Sequence, residues 1–101
     1  MTKDQNSKQY DLEDRTAVFA RQVRLFVKKL PMNISNAEDG KQLVRSSGSV
    51  GANYIEAKEC RYWLRLLDIN DGSGQEDHRK SLEKEATELM NIFGAILNKS
   101  K

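Results

Sequence analysis

Apolar residues along this chain recur at helical spacing. Leu12, Thr16, Phe19, Val23, Phe26 and Leu30 form one stripe, stepping 4, 3, 4, 3, 4, the alternation of a helix that packs in a bundle. The pattern predicts a helix from about Leu12 to Leu30, with Asp11 as N-cap, Asp14 in the first turn and Pro31 as the stop. Val18 and Leu25 form a second stripe, roughly 110° around that helix, and are predicted to contact another subunit. Arg21, Arg24 and Lys28 lie on the opposite face from the main stripe. Before the helix, residues 1–9 are polar and read as a disordered tail; residues 10–101 read as one helical domain.

Ser35 followed by Glu38 fits a capping box, placing the start of a second helix near Asn36 or Ala37. That helix leads into Arg45 to Ala57, RSSGSVGANYIEA, which holds six small residues within seven positions. Small residues let helices approach closely, and glycine in a helix costs up to about 1 kcal/mol against alanine, so two glycines imply that packing compensates. The expectation is a central helix contacted on more than one side, with close packing at Gly48, Gly51, Ala52 and Asn53. Asn53 is either a buried amide that sets helix register or an exposed residue. The stripe Leu43, Ser47, Val50, Tyr54 and Ala57 continues without a helix breaker into Cys60, Trp63, Leu64 and Leu67. That later set centres roughly 110° away, however, and one straight helix from Ala37 to Asp68 would run about 48 Å. The segment reads as two helices joined near Ala57–Lys58, where a turn would be expected. Residues 70–75, NDGSGQ, are a loop, and Ser73 with Glu76 offers another capping box. A last helix then spans about Glu76 to Leu97, with Leu82, Ala86, Leu89, Phe93 and Ile96 as its seam.

Composition narrows the setting. The 101 residues are 38% hydrophobic and 32% charged, with one proline, which suits helices with one apolar face each. A single cysteine, Cys60, and a single histidine, His78, exclude an intrachain disulfide and a Cys/His zinc site within one chain. The longest apolar run, Ile92 to Leu97, is far too short to span a bilayer, and MTKDQNSKQ has no signal-peptide core, so a cytoplasmic protein is expected. Net charge is +2. Residues 1–67 contribute +4 and residues 68–101 contribute −2, so any basic surface belongs to the first two-thirds.

Nothing in the chain assembles a catalytic set. His78 has no nucleophile tied to it by a motif and reads as an exposed residue near a helix start. Glu56 and Glu59 are one turn apart but lack the further ligands of a metal site, and salt bridges to arginines are their expected fate. Gly48 and Gly51 are not followed by the Lys-Ser/Thr of a phosphate loop. No enzyme, metal or cofactor is expected. Trp63 reads as core and Tyr62 as an interface residue, with base stacking the alternative for both. Arg21, Arg24 and Lys28 are either a solvated face or a strip that binds phosphate.

Three segments carry a resemblance: RSSGSVGANYIEA (45–57), ECRYWLRLLD (59–68) and EATELMNIFGAILNKSK (85–101). With Leu30-Pro31 closing the first helix, the chain from about Tyr10 to Lys101 resembles the proteins encoded in intervening sequences of bacterial 23S ribosomal RNA. That resemblance implies an all-α, up-and-down four-helix bundle. Family members carry about twenty further residues between the positions of Ala57 and Lys58, so it also implies a third helix shortened or partly absent here. The family is similar to the accessory protein of diversity-generating retroelements, a pentameric barrel whose basic surface meets a reverse transcriptase and nucleic acid. By that likeness the expected protein is a non-enzymatic homo-oligomer, a pentamer, with RNA, DNA or a nucleic-acid-processing protein as partner. The alternative is a helical scaffold or adaptor that binds protein alone.

Overall fold

The computed structural model describes residues 7–50, 54–69 and 73–100, which form four helices and no strand. They are α1 (Ser7–Lys28), α2 (Ile34–Gly48), α3 (Tyr54–Leu66) and α4 (Gln75–Ser100). Each helix packs principally on its neighbours in the chain, and α4 closes back on α1. α1 and α3 are therefore diagonal in the bundle, as are α2 and α4. No helix among the described residues is long and apolar enough to cross a membrane.

The core is built from the stripes read off the sequence. Phe19, Val23 and Phe26 come from α1, Leu43 from α2, and Leu82, Ala86, Leu89 and Phe93 from α4, all buried. α3 contributes Ala57, Cys60 and Leu64, continued by Leu67 just past its end. Leu12, Leu30 and Trp63 pack against this cluster from partly buried positions. Thr16 instead turns its hydroxyl to the Glu13 carbonyl at 2.9 Å.

The helix boundaries differ from the sequence expectation in instructive ways. α1 is already helical at Ser7, so Asp11 lies inside the helix rather than at its cap. The cap of α2 is Asn33, in extended backbone, whose Oδ1 accepts from the Asn36 N–H at 2.8 Å. Ser35 only donates its hydroxyl to that same oxygen. An asparagine at this position satisfies a first-turn donor as a serine two residues later would have done. At α4, Gly74 adopts φ 83 and its carbonyl receives the His78 N–H. A positive φ favours glycine, which lacks the Cβ that crowds this conformation. The Ser73 hydroxyl accepts from the Gln75 N–H at 3.3 Å, beside this glycine start.

The largest correction concerns RSSGSVGANYIEA, which is not one central helix. α2 ends at Gly48, where the Ser49 N–H reaches back to the Ser46 and Ser47 carbonyls, and the next helix begins at Tyr54. Ala57 and Lys58, the expected junction, sit together inside α3. The 110° phase shift thus has its origin earlier, between α2 and Tyr54. Close packing at Gly48 is also overturned: Gly48 is exposed, and an added Cβ there would meet only the Arg24 guanidinium at 3.8 Å. Gly51, Ala52 and Asn53 lie outside the described residues. Among the described residues, the glycines set against another helix are Gly40, whose Cβ would sit 3.4 Å from Val27 Cγ1, and Gly94, 3.5 Å from the Tyr54 ring. Ser46 and Ser47 keep the role expected of small residues, since both are buried and Ser46 Oγ hydrogen-bonds Glu59 on α3 at 3.2 Å.

Polar contacts tie the helices at defined heights. Arg15 forms a two-pronged pair with Glu85 at 2.8 and 2.9 Å and reaches Glu88 at 3.1 Å, joining α1 to α4. The hydrogen bond with Glu85 outweighs the opposing effect of burial and, with the charges of Glu85 and Glu88, holds its guanidinium more firmly protonated than usual. Arg79 donates to the Leu64 and Leu67 carbonyls at 3.1 and 2.6 Å, closing the end of α3 from α4. Gln75 donates to the Phe26 carbonyl at 3.2 Å in the last turn of α1. The Leu64 and Phe26 carbonyls lie in last helical turns, beyond the reach of i+4 helical bonding, and Phe26 also accepts the Lys29 N–H at 3.1 Å.

Candidate functional site

Two exposed apolar stripes stand outside the core. On α1, Val18 and Leu25 retain 49% and 43% of their surface. On α3, Ile55, Tyr62 and Leu66 retain 59%, 57% and 43%. Spacings of 7 and 4 put the three α3 residues on one line, roughly 160° from the face that carries Cys60 and Leu64. Tyr62 meets Trp63 edge to face at 5.1 Å, so the Trp63 ring, partly buried, supports an outward-facing tyrosine. The sequence anticipated Val18, Leu25 and Tyr62 as outward apolar positions; Ile55 and Leu66 escaped it.

Arg21, Arg24 and Lys28 are all exposed on α1, where the sequence placed them. Arg24 Nη1 donates to the Ala20 carbonyl at 3.0 Å, which lays its guanidinium along the helix toward α2. Across from Lys28, α2 presents Lys41 and Arg45, which the sequence reading did not single out. Between them lies an apolar groove of about 580 Å³, floored by Val27, Leu30 and Pro31 on one side and Ala37, Gly40 and Val44 on the other. A second groove of about 520 Å³ runs between α1 and α4 beside Val18, and the Arg15–Glu85 pair lines it.

The groups with potential chemistry are spread apart. Cys60 is buried, and burial first, then Glu56 and Glu59, pushes its thiol up to about 12. Such a thiol carries almost no thiolate at neutral pH. Glu59 accepts from Ser46. His78, read from sequence as exposed, is half-buried, its ring edge to face with Phe26 at 5.4 Å. Burial and then Lys29 push its pKa below the usual histidine value. Among the described residues no group of three or more His, Cys, Asp or Glu side chains is placed to hold a metal ion. No protein family, curated protein or solved structure matches the chain.

Proposed function

We propose that this chain is a non-enzymatic, cytoplasmic, homo-oligomeric helical-bundle protein of the ribosomal-RNA intervening-sequence type, with its helices running alternately up and down. The observation that carries self-association is the pair of apolar stripes, Val18–Leu25 on α1 and Ile55–Tyr62–Leu66 on α3. Because those helices are diagonal, the two stripes are different surfaces on different sides of the bundle. Such surfaces favour a head-to-tail contact, and head-to-tail contacts of suitable rotation close into rings. The alternating direction is supported by contacts that pair rising with falling residue numbers. Phe26 meets Gln75 and Arg15 meets Glu85, while Asn36 meets Asp68 and Ser46 meets Glu59. The short third helix of the resemblance corresponds in this reading to α3, which has 13 residues against 26 in α4.

Light scattering after gel filtration tests the assembly. The expected mass is a multiple of the 11.6 kDa chain, five-fold by the resemblance, and a monomer at micromolar concentration would overturn the reading. Val18→Glu with Leu25→Glu, or Tyr62→Glu alone, should dissociate the assembly with helicity largely kept.

The partner in this reading is nucleic acid, met by Arg21, Arg24 and Lys28. The strip would be repeated around a ring, and several weak patches acting together bind more tightly than one. Contact would be to phosphate without sequence preference, so affinity for short labelled RNA and DNA should fall steeply between about 50 and 200 mM salt. Changing all three residues to Glu should abolish the anisotropy change and leave the assembly mass unaltered. Binding indifferent to salt and to that triple change would remove the nucleic-acid role. A protein-only scaffold is the second reading, and the apolar groove between α1 and α2 is the observation that favours it.

A further inference from the structure

We infer that the groove between α1 and α2 is a docking site for an acidic amphipathic helix of a partner protein. The inference deepens the protein-partner reading and does not rest on nucleic-acid binding.

The groove exists because of local sequence. Pro31 ends α1, and the turn through Met32 and Asn33 starts α2 alongside it. Ala37, Gly40 and Val44 follow at helical spacing on the α2 wall, too small to fill the space that Val27 and Leu30 leave open. Gly40 in particular lets α2 sit against Val27 without raising a ridge. Met32, at the mouth, is 92% exposed. An unbranched thioether in that position can fold down over whatever enters, the adaptable contact that methionine supplies in helix-binding surfaces.

Charge selects the occupant. The groove is rimmed by Lys28 on the α1 side and by Lys41 and Arg45 on the α2 side, and no acid lines it. Glu38 approaches Lys41 only at 3.8 Å, with both side chains largely in water, so that pair leaves the rim positive. Phosphate would meet these cations equally well but would gain nothing from an apolar floor. A helix with apolar residues at i, i+3 and i+7, flanked by Glu or Asp, would use both the floor and the rim.

The test uses the full chain, with methyl-labelled methionine followed by NMR. The probe is a synthetic helical peptide of about 14 residues, roughly four turns, with leucine at those spacings and glutamate on the flanks. Its counterpart carries lysine in place of every glutamate. The Met32 methyl should shift saturably with the glutamate peptide while Met90, on α4, does not. Lys41→Glu with Arg45→Glu, both exposed positions, should weaken binding about tenfold or more with unchanged circular dichroism. The same charge change on α4, Lys80→Glu with Lys99→Glu, should leave affinity as it was. The inference is overturned by an absent Met32 shift up to about 1 mM peptide. It also falls if the lysine peptide binds equally well or the α4 control loses the same affinity. A Met32 resonance that moves on dilution of the protein alone would assign the groove to a second copy instead. Labelled RNA at low salt, run in parallel, reads out the basic strip separately, so either result can fail without the other.

Discussion

Asn36→Ala should lower stability by about 3 kcal/mol, the cost of leaving three part-buried backbone groups without their partner. For a domain of this size that corresponds to a melting temperature roughly 12–24 °C lower. Asn36 is buried, and both ends of its amide are used. Nδ2 donates to the Pro31 and Asp68 carbonyls, each at 3.0 Å, and Oδ1 accepts from the Asp68 N–H at 2.9 Å. One side chain therefore joins the turn after α1, the first turn of α2 and the chain leaving α3. Alanine would strand two carbonyls and one N–H at the junction of three elements. The comparison is Asn33→Ala, which removes an exposed cap and should cost only about 1 kcal/mol. Thermal melts at one fixed protein concentration check both. Equal losses in the two variants would mean that the Asn36 bonds are replaced by water.

That residue also marks how far sequence reasoning reaches in this chain. The sequence offers a buried amide setting helix register as one of two readings of Asn53, which lies outside the described residues. Periodicity cannot reveal Asn36, whose partner Asp68 lies 32 residues away in sequence. Periodicity did reveal most of the seams of α1 and α4, since each is one uninterrupted helix: Phe19, Val23 and Phe26, and Leu82, Ala86, Leu89 and Phe93, are buried, whereas Ile96, expected to close the α4 seam, is exposed near the helix end. It misplaced the break between α2 and α3. Serine, glycine and alanine are compatible with a helix, and no proline marks the end of α2. The available signal was phase: Ala57, Cys60, Leu64 and Leu67 step 3, 4, 3 and already belong to one face. The new helix had to begin before Ala57, not after it. The same misreading hid Lys41 and Arg45, because a helix taken as buried on several sides has no outer face on which to look for a cationic rim. Arg21, Arg24 and Lys28 were legible because α1 has a single well-marked core stripe.

Phe26→Ala should be more costly still, at about 3–5 kcal/mol by the usual penalty for emptying a buried phenylalanine site. Phe26 is fully buried near the end of α1, against the start of α4. Its carbonyl takes the Gln75 amide and its ring packs on the His78 edge. Chemical denaturation at neutral pH reads the loss. The milder Phe26→Leu isolates the ring's effect on His78. Burial and Lys29 lower the folded-state pKa of His78 below 6.5, so the unfolded chain binds the extra proton first. Stability from this group is therefore fully present above about pH 6.5 and is lost as pH falls through that value toward the folded-state pKa. Leucine uncovers part of the imidazole edge and reduces the desolvation. The His78 titration should then move up toward 6.5, and the acid-side decline in stability should shrink. An NMR titration of the single histidine in both proteins decides it, and coincident curves would show that the Phe26 ring does not shield His78.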